Sequence, residues 1–448
     1  MLTRRSLLAG AIASVAAGGA LSFSARSYAR IKGANERLRV AVMGINGRGM
    51  AHVSAFAAAA NMQVTHLVDV DSQVLRTRGG EVAQKYGPTK LEHDYRRVLD
   101  SRSVDILSIA TPDHWHAKAA LDAMSAGKHV YLEKPCGIAP SEGAALIAAQ
   151  KRSGQVLQVG NQQRSSVETR ELVSLVREGL LGEIYAADTW YANNRKSIGV
   201  GLDGAPPPNL DWDLWQGPRP RRTYRSNVVH YNWHWFWHWG TGELCNNAVH
   251  EVDIARWLMG LEFPERVSAR GERRFHQGDD WEMYDTMRLE LTFAGGRVIR
   301  WDGHSCNAVS RYDRGRGTLI YGTKGAAVVD RNGYEVFDLA GKSVRKAVAR
   351  AASSTTDTVG EGALDVLHVD NFAAVIRGNI SALASPIRES HVSTLLCHLG
   401  NMAYRTGTDL ICDAATGRPS STAALAYWTP EYEPGWEIVS ARDTAEVA

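Results

Sequence analysis

A short strand, a glycine-rich turn and a helix follow one another early in the chain, and this order restricts the fold more than any other feature. The apolar run Leu38–Met43 is followed by the turn Gly44–Gly49, and an Ala-rich stretch from 50 to 60 is predicted to be a helix. This order aims a helix N-terminus at an anion, as in dinucleotide-binding folds. Asn46 replaces the second glycine of the usual G-x-G-x-x-G pattern, and asparagine tolerates left-handed backbone.

Strands and helices continue to alternate beyond this unit. The segments 64–68, 104–110 and 128–132 are apolar runs of strand length, and the stretch 117–126 is predicted to be a helix. Such alternation predicts a parallel sheet covered by helices on both faces, with ligands at the carboxyl ends of the strands. The residues at those ends are Asp69, Thr111, Pro112, Glu133 and Lys134.

The acidic residue at the second strand end bears on the choice of cofactor. Asp69 follows directly after the predicted strand 64–68. A carboxylate there accepts hydrogen bonds from a ribose diol and repels a 2′-phosphate. The sequence therefore predicts NAD, while Arg76 and Arg78 lie close enough in sequence to leave NADP open.

The pattern changes after Gly160. A predicted helix at 168–178 precedes a strand at 184–191, and later strands at 283–293 and 298–302 flank the turn Gly295–Gly296. Further turns are predicted at Lys324–Gly325 and Asn332–Gly333. These segments predict an α+β domain with an open, mostly antiparallel sheet. Because such a sheet leaves one face to be covered by helices or by another subunit, we expect a homo-oligomer, a dimer or a tetramer.

Several motifs together resemble those of the Gfo/Idh/MocA oxidoreductase family. They are Glu133–Pro135 (Glu-Lys-Pro) at a predicted strand end and the segments 159–164, 212–215 and 242–253. The resemblance extends from about Leu38 nearly to the C-terminus. It implies an α/β protein, with an NAD-binding Rossmann domain at 36–158 and a C-terminal α+β domain at 159–448 for substrate binding and oligomerisation.

The resemblance also implies roles for individual residues. Lys134 would hydrogen-bond the reacting hydroxyl, and His250 would be the general base or acid. Family dehydrogenases commonly carry an aspartate four residues before this histidine, whereas this chain has Asn246, which orients a hydroxyl but cannot ionise. Asp253 is an alternative partner for His250, although it is expected to face the structure. The residues expected to bind the cofactor are Gly44, Asn46, Gly47, Arg48, Gly49, Asp69, Thr111, Pro112, His116, Glu133, Lys134 and Gln162.

The segment 231–240 (Tyr-Asn-Trp-His-Trp-Phe-Trp-His-Trp-Gly) has an unusual composition. An extended segment would place its tryptophans on one face, whereas a helix would place His234 and His238 on a shared face with metal-ligand spacing. No third ligand is evident nearby, so we predict no metal. Aromatic rings suit sugar binding and also suit core packing. The residues expected to contact substrate are Arg164, Trp233, His234, His238 and His250.

The first 29 residues are predicted to be an export signal. Arg4 and Arg5 precede an apolar stretch, and Ser27-Tyr28-Ala29 places small residues at the −3 and −1 positions of a cleavage site. The paired arginines resemble the twin-arginine type, which implies the twin-arginine machinery as a partner of the precursor and a periplasmic or otherwise exported product. A retained membrane anchor is the alternative. The whole chain has a formal charge of +3, and this segment contains three arginines and no acidic residue, so its removal would leave no net charge. The charge therefore gives no reason to expect nucleic acid as a partner.

Together these features predict an exported oxidoreductase that transfers a hydride between a tightly bound nicotinamide cofactor, NAD or NADP, and a hydroxyl or carbonyl of a sugar or cyclitol. A bound cofactor must be regenerated in place, through a second carbonyl substrate or a closed redox cycle. The closed cycle is the alternative function, an NAD-dependent glycosidase that oxidises C3 transiently and eliminates the aglycone. A third hypothesis, a sugar sensor with a vestigial nucleotide fold, is disfavoured because Lys134 and His250 are both present.

Overall fold

Two β-sheets organise the residues described by the computed structural model, which are 37–349 and 362–438. The predicted export signal lies outside these residues. Among the described helices, none is long and apolar enough to cross a membrane. All five cysteines lie in the described part of the chain and are free thiols there.

The first sheet has six parallel strands in the described residues, in the order β3-β2-β1-β4-β5-β6. Its strands are β1 (Leu38–Met43), β2 (Met62–Val68), β3 (Lys90–Glu92), β4 (Ile106–Ile109), β5 (His129–Leu132) and β6 (Leu157–Val159). The intervening helices are α1 (Arg48–Ala58), α2 (Ser72–Tyr86), α3 (Arg96–Leu99), α4 (Asp113–Ser125) and α5 (Pro140–Ser153). This is the doubly wound Rossmann topology that the sequence predicts. Strand β4 is buried throughout, as a strand covered on both faces must be.

The second sheet has nine strands among the described residues, in the order β16-β15-β14-β13-β7-β12-β11-β10-β17. Its strands are β7 (Ile184–Ala192), β10 (Arg266–Glu272), β11 (Thr286–Thr292), β12 (Val298–His304), β13 (Arg316–Gly322), β14 (Gly325–Asp330), β15 (Gly333–Phe337), β16 (Ser343–Val348) and β17 (Leu410–Ile411). All neighbours are antiparallel except β7 and β12, which pair in parallel. The predicted open, mostly antiparallel sheet is therefore confirmed. A separate two-stranded ribbon pairs β8 (Asp203–Gly204) with β9 (Tyr224–Arg225).

Helices cover one face of the second sheet. The remaining α-helices of the described residues are α6 (Val167–Arg177), α7 (Trp212–Gln216), α8 (Val249–Met259), α9 (Ala363–Ile376), α10 (Ile387–Thr406) and α11 (Thr422–Leu425). Of these, α6, α8 and α10 contact this face. Their apolar side chains share a core with inward residues of the strands, such as Leu289, Ile299 and Trp301. The opposite face carries charged pairs, including Arg300 with Glu290.

Helix α9 packs on the first sheet although it comes late in the chain. Val369 and Phe372 share a buried cluster with Val40, Phe56 and Tyr131 of the Rossmann sheet and its first helix. The Tyr131 and Phe372 rings meet edge to face, with centroids 5.8 Å apart. The Rossmann core is thus completed by residues from the C-terminal third of the chain, and the position of α9 brings Asp365 toward the first turn of α1.

Candidate functional site

The carboxyl ends of the central strands of the Rossmann sheet open into a cavity that also borders the second sheet. Fifteen residues expected to act in the site line this cavity. They are Gly44, Asn46, Gly47, Arg48, Asp69, Thr111, Pro112, His116, Glu133, Lys134, Gln162, Trp233, His234, Asn246 and His250. Gly49, Arg164 and His238 do not line it.

The glycine turn between β1 and α1 is shaped by close backbone contacts. Gly44 adopts φ +81°, and a Cβ there would lie 2.7 Å from the carbonyl oxygen of Ala110. A Cβ at Gly49 would lie 2.1 Å from the Gly44 carbonyl oxygen, so Gly49 packs the turn rather than bordering the cavity. Helix α1 begins directly after Gly47, with no side chain capping its N-terminus. This arrangement fits the pyrophosphate of a dinucleotide, which binds where backbone N–H groups converge and no side chain intrudes.

Asp69 lies at the end of β2 beside this turn. One carboxylate oxygen accepts the Ile45 N–H at 3.0 Å, and the other accepts the Asp71 N–H at 3.0 Å. Burial raises the pKa of Asp69, and these two backbone donors oppose the rise. Each oxygen keeps a second lone pair, so the carboxylate fits a ribose diol. Arg78, in contrast, donates to Glu81 and to the Asn46 carbonyl oxygen.

Glu133 is the centre of a buried ion-pair network. It accepts from Arg48 at 2.7 Å, from His52 at 3.0 Å and from the Gln162 amide at 3.0 Å. Arg48 also donates to Asp365 of α9. Although burial opposes ionisation, Arg48 and His52 hold the pKa of Glu133 well below its usual range. The network fixes the strand end that carries Lys134.

Lys134 reaches across the cavity to the second domain. Its ammonium donates to the backbone carbonyl oxygen of Asn246 at 2.8 Å and to the side-chain oxygen of Asn246 at 3.2 Å. Burial lowers the pKa of Lys134. Asn246 lies in the π-helical turn Leu244–Ala248, which runs directly into α8. Such turns break the regular α-helical hydrogen-bond pattern and are frequent at functional sites.

His250 lies in the first turn of α8, one helical turn beyond Asn246, and is buried. Burial, together with the positive charges of Arg331, Arg316 and Lys134, lowers the pKa of His250 well below its usual value. The imidazole is therefore neutral at pH 7 and able to accept a proton. An amine, an amide and an imidazole thus border one cavity, which is the arrangement needed to orient a hydroxyl and remove its proton.

His116 lies between two of the strand ends. Its ring nitrogens lie 2.7 Å from the Pro135 carbonyl oxygen and 3.0 Å from the Thr111 carbonyl oxygen. It therefore ties the turn after β4 to the segment that carries Lys134. Thr111 and Pro112 form that turn and border the cavity through it.

Arg164 is placed away from the cavity, contrary to the expectation that it contacts substrate. Its guanidinium forms a buried two-point ion pair with Asp253, at 2.7 and 2.8 Å, and lies 5.0 Å from the ring centre of Trp257. Ser393 donates to the same carboxylate. Asp253 therefore faces the structure, as expected, and the pair joins the start of the second domain to α8.

The aromatic segment is neither an extended strand nor a regular helix. Residues Asn232–Trp235 form a 3₁₀ turn, and the His234 ring stacks on Trp233 with centroids 3.6 Å apart. His234 donates to the Tyr231 carbonyl oxygen, whereas His238 donates to the Pro220 carbonyl oxygen outside the cavity. The two histidines do not form the pair that a helix would have given. In the described part of the chain, no group of three or more His, Cys, Asp or Glu side chains is arranged to hold a metal ion.

Residues 209–239, here called the strap, cross from the second domain to the Rossmann domain. The backbone of Asn209 accepts the Ser72 N–H at 2.9 Å, and Asp71 accepts from the Asn209 amide at 2.8 Å and from His230 at 3.1 Å. Trp115 and His114 of α4 both donate to the Trp215 carbonyl oxygen at 2.9 Å. The strap therefore covers the cavity next to Asp69.

Sequence reasoning missed several cavity residues. They include Trp215, His230, Tyr231 and Arg331. Asp113, which follows Thr111 and Pro112 at a predicted strand end, also lines the cavity. The others come from the strap and from a hairpin turn of the second sheet, so only the tertiary structure brings them to the cavity.

The sequence matches two domains of a known protein family. Residues 38–161 match "Oxidoreductase family, NAD-binding Rossmann fold", and residues 169–328 match "GFO/IDH/MocA C-terminal domain". Together the matches cover more than half of the chain.

Individual relatives are distant. The uncharacterized oxidoreductase YrbE of Bacillus subtilis strain 168 is 24% identical over 296 residues, which are 65% of this chain and 73% of YrbE. The α-N-acetylgalactosaminidase of Shewanella oneidensis is 27% identical over 161 residues, and this match spans only 35% of each protein. The crystal structure of an aldose-aldose oxidoreductase from Caulobacter crescentus, complexed with glycerol, superposes with a TM-score of 0.64. It is 19% identical and covers 84% of this chain and 99% of its own, so it shows the shared fold. From the two family matches, the chain belongs to the GFO/IDH/MocA family of oxidoreductases and contains its NAD-binding Rossmann domain.

Proposed function

We propose that this oxidoreductase transfers a hydride between a tightly held NAD and a hydroxyl-bearing carbon of a sugar or cyclitol. One observation carries the proposal: Lys134, Asn246 and His250 border the same cavity as the glycine turn and Asp69. The cofactor and the proton-handling side chains therefore share one space. The similarity in fold to an aldose-aldose oxidoreductase supports a sugar substrate.

The nicotinamide of bound NAD supplies the hydride acceptor, while the protein supplies orientation and proton transfer. The neutral His250 accepts the proton that leaves the reacting hydroxyl. Lys134, held 2.8 Å from the Asn246 carbonyl oxygen, donates a hydrogen bond to that hydroxyl oxygen. Asn246 orients the hydroxyl through its amide and takes no part in ionisation, because an amide does not titrate near neutrality.

Two features support retention of the cofactor through the catalytic cycle. The strap covers the cavity beside Asp69 and is anchored to the Rossmann domain at Asp71. The twin-arginine-type segment at Arg4-Arg5 favours export to the periplasm, where free NAD would be scarce. Regeneration of the oxidised cofactor would then use a second carbonyl substrate.

The proposal also includes a homo-oligomer formed through the open face of the second sheet. The aromatic cluster around Trp190 on that sheet supports it.

A second candidate is an NAD-dependent glycosidase, in which one bound NAD is reduced and reoxidised within a single turnover. The match to the Shewanella α-N-acetylgalactosaminidase favours it. The non-ionising Asn246, in place of the aspartate of many family dehydrogenases, is also compatible with it.

One experiment separates the two candidates. The purified protein is denatured, and the released dinucleotide is identified by mass spectrometry. The native protein is then incubated with aldoses and cyclitols, and separately with nitrophenyl glycosides, without added NAD. Absorbance of the reduced nicotinamide on sugar addition supports the dehydrogenase, and nitrophenolate release supports the glycosidase. Lys134→Ala should lower either activity by at least about 100-fold, because it removes the hydrogen-bond donor to the reacting oxygen.

The controls make this result interpretable. Lys118→Ala, which removes a lysine of α4 paired with Asp122 outside the cavity, should keep full activity. Lys134→Ala should retain the dinucleotide, so its loss of activity reports chemistry rather than binding. Unchanged turnover in Lys134→Ala would remove Lys134 from the mechanism, and absence of both activities in the wild-type protein would contradict the proposed function.

A further inference from the structure

Arg331 lines the same cavity as Lys134 and His250, yet none of the described carboxylates forms an ion pair with its guanidinium. Its Nε atom is buried without a hydrogen-bond partner, and none of the ion pairs among the described residues includes its guanidinium. Buried cations in proteins are nearly always paired, because an unpaired charge loses its hydration without compensation. An unpaired arginine at a cavity wall therefore indicates a ligand that carries the missing charge.

The carboxylates around Arg331 are already committed to other arginines. Glu251 forms a two-point ion pair with Arg316, at 2.6 and 3.0 Å. Asp365 and Glu133 both accept from Arg48. Burial, with the nearby Arg316 and Arg48 guanidinium groups, lowers the pKa of Arg331 to about 10, so the side chain remains charged at neutral pH. Arg331 therefore has no ion-pair partner among these carboxylates.

The backbone holds Arg331 in place. Arg331 and Asn332 form the tight turn between β14 and β15, in which Asp330 pairs with Gly333. The Asp330 side chain accepts the Asn332 N–H at 2.9 Å and forms an ion pair with Arg314 at 3.2 Å. At Gly333, φ is +131° and a Cβ would lie 2.0 Å from the Ala347 carbonyl oxygen, so the turn requires glycine. The guanidinium is thus presented on a rigid support, as a recognition group should be.

The anions of the cofactor have their own binding elements at the glycine turn and the N-terminus of α1. Arg331 comes instead from the second domain, and its charge acts on His250. We infer that Arg331 binds an anionic group of the substrate, so that this site takes a sugar bearing a carboxylate or a phosphate ester in preference to a neutral sugar. A planar guanidinium matches either group with two parallel hydrogen bonds. The inference rests on the proposed function and specifies its substrate class.

The test compares matched sugars that differ only in charge. Glucose, glucuronate and glucose 6-phosphate, with their galacto and manno counterparts, are titrated into the nucleotide-loaded protein by calorimetry and assayed for turnover. We expect at least one anionic sugar to bind about 10- to 100-fold more tightly than its neutral counterpart, the range of a hydrogen bond to a charged group. The carboxylate and phosphate arms identify which anion is preferred.

Arg331→Gln should abolish this preference for the anionic sugar, while Arg331→Lys should keep part of it. Arg297→Gln, an arginine in the turn between β11 and β12 that does not line the cavity, is the matched control. Because the substitution removes an unpaired buried charge, Arg331→Gln should also melt at the same or a higher temperature than the wild type. A lower melting temperature would instead indicate a structural role and would contradict the inference.

The remaining outcomes are also decisive. The inference is overturned if the charged and neutral sugars bind equally in the gluco, galacto and manno series. It is also overturned if the preference for the anionic sugar survives in Arg331→Gln. Loss of bound nucleotide in Arg331→Gln would assign the guanidinium to the cofactor and overturn it as well. An Arg331-dependent anion preference without turnover of any sugar would leave the inference standing and contradict the proposed function, so the two failures are distinguishable.

Discussion

At the scale of single residues, the neighbours of each carboxylate in the cavity determine what it can bind. Glu133 is ion-paired with Arg48 and hydrogen-bonded to His52, so it orders the strand end that carries Lys134. Asp69 accepts hydrogen bonds from two backbone N–H groups, and no arginine or lysine of the described residues forms an ion pair with it. Asp69 should therefore repel a 2′-phosphate and accept hydrogen bonds from a diol, while Arg78 donates to Glu81 and to the Asn46 carbonyl oxygen.

Asp69→Ala should narrow the preference for NADH over NADPH by about tenfold or more, because each 1.4 kcal/mol of lost repulsion and hydrogen bonding changes the affinity ratio about tenfold. Fluorescence titration of nucleotide-free protein with each dinucleotide measures the ratio. Asp69→Asn, which keeps an acceptor for the Ile45 N–H, separates charge from loop positioning. Asp100→Ala removes an exposed carboxylate of the same domain as a control. An unchanged ratio in Asp69→Ala would count against the ribose assignment.

At the scale of secondary-structure elements, the strap explains how the second domain contributes to the cofactor cavity. Asp71 caps α2 through the N–H groups of Gln73 and Val74 with one oxygen and accepts from the strap with the other. The end of β2, the start of α2 and the strap therefore meet at one side chain. Opening the strap requires these contacts to break together.

Asn209→Ala combined with His230→Ala should increase the rate of NADH dissociation by about 10-fold, because two hydrogen bonds to Asp71 are lost while its capping of α2 is kept. Stopped-flow displacement of bound NADH measures the rate. Gln277→Ala, an exposed change in the second domain that does not line the cavity, is the control. If the double variant releases NADH at the wild-type rate, the strap does not retain the cofactor.

Local elements were predictable from the sequence, whereas contacts made by distant segments were not. Periodicity predicted the strand 38–43 with its observed bounds and the helix at 168–178, observed as α6, within one residue. The predicted strand 283–293 begins later, at Thr286, and the side chain of the preceding Asp285 accepts the N–H groups of Arg274 and Phe275. Lys134, Asn246 and His250 were found through the family resemblance, but Arg331 required knowledge of the hairpin that delivers it.

At the scale of the whole molecule, buried neutral histidines couple folding to pH. Burial lowers the pKa of His114 to about 3 and those of His368 and His391 to about 4. His114 lies between α4 and the strap, and His368 joins α9 to β6 through the Val159 carbonyl oxygen. Interfaces between the domains and within the Rossmann core therefore depend on uncharged imidazoles.

Stability should fall as pH decreases from about 6.5 toward about 4. In that window the histidines bind protons in the unfolded chain but not in the folded chain, so protonation favours unfolding. The stabilisation by the neutral histidines is fully present above about pH 6.5. Urea unfolding midpoints across the window measure the effect. His391→Leu should reduce the pH slope of the unfolding free energy by up to about 1.4 kcal/mol per pH unit, whereas Gln277→Ala, at an exposed and non-ionising site, should not. A midpoint independent of pH would contradict this assignment.

The position of α9 has a consequence for synthesis. The apolar faces of β1, α1 and β5 are covered by Val369 and Phe372, which emerge from the ribosome only after most of the chain has been translated. A nascent chain that has completed its six parallel strands still exposes this surface, and Arg48 still lacks Asp365. Completion of the nucleotide cleft therefore waits until α9 has been translated. A polypeptide terminated before α9 would expose this apolar surface to chaperones and proteases.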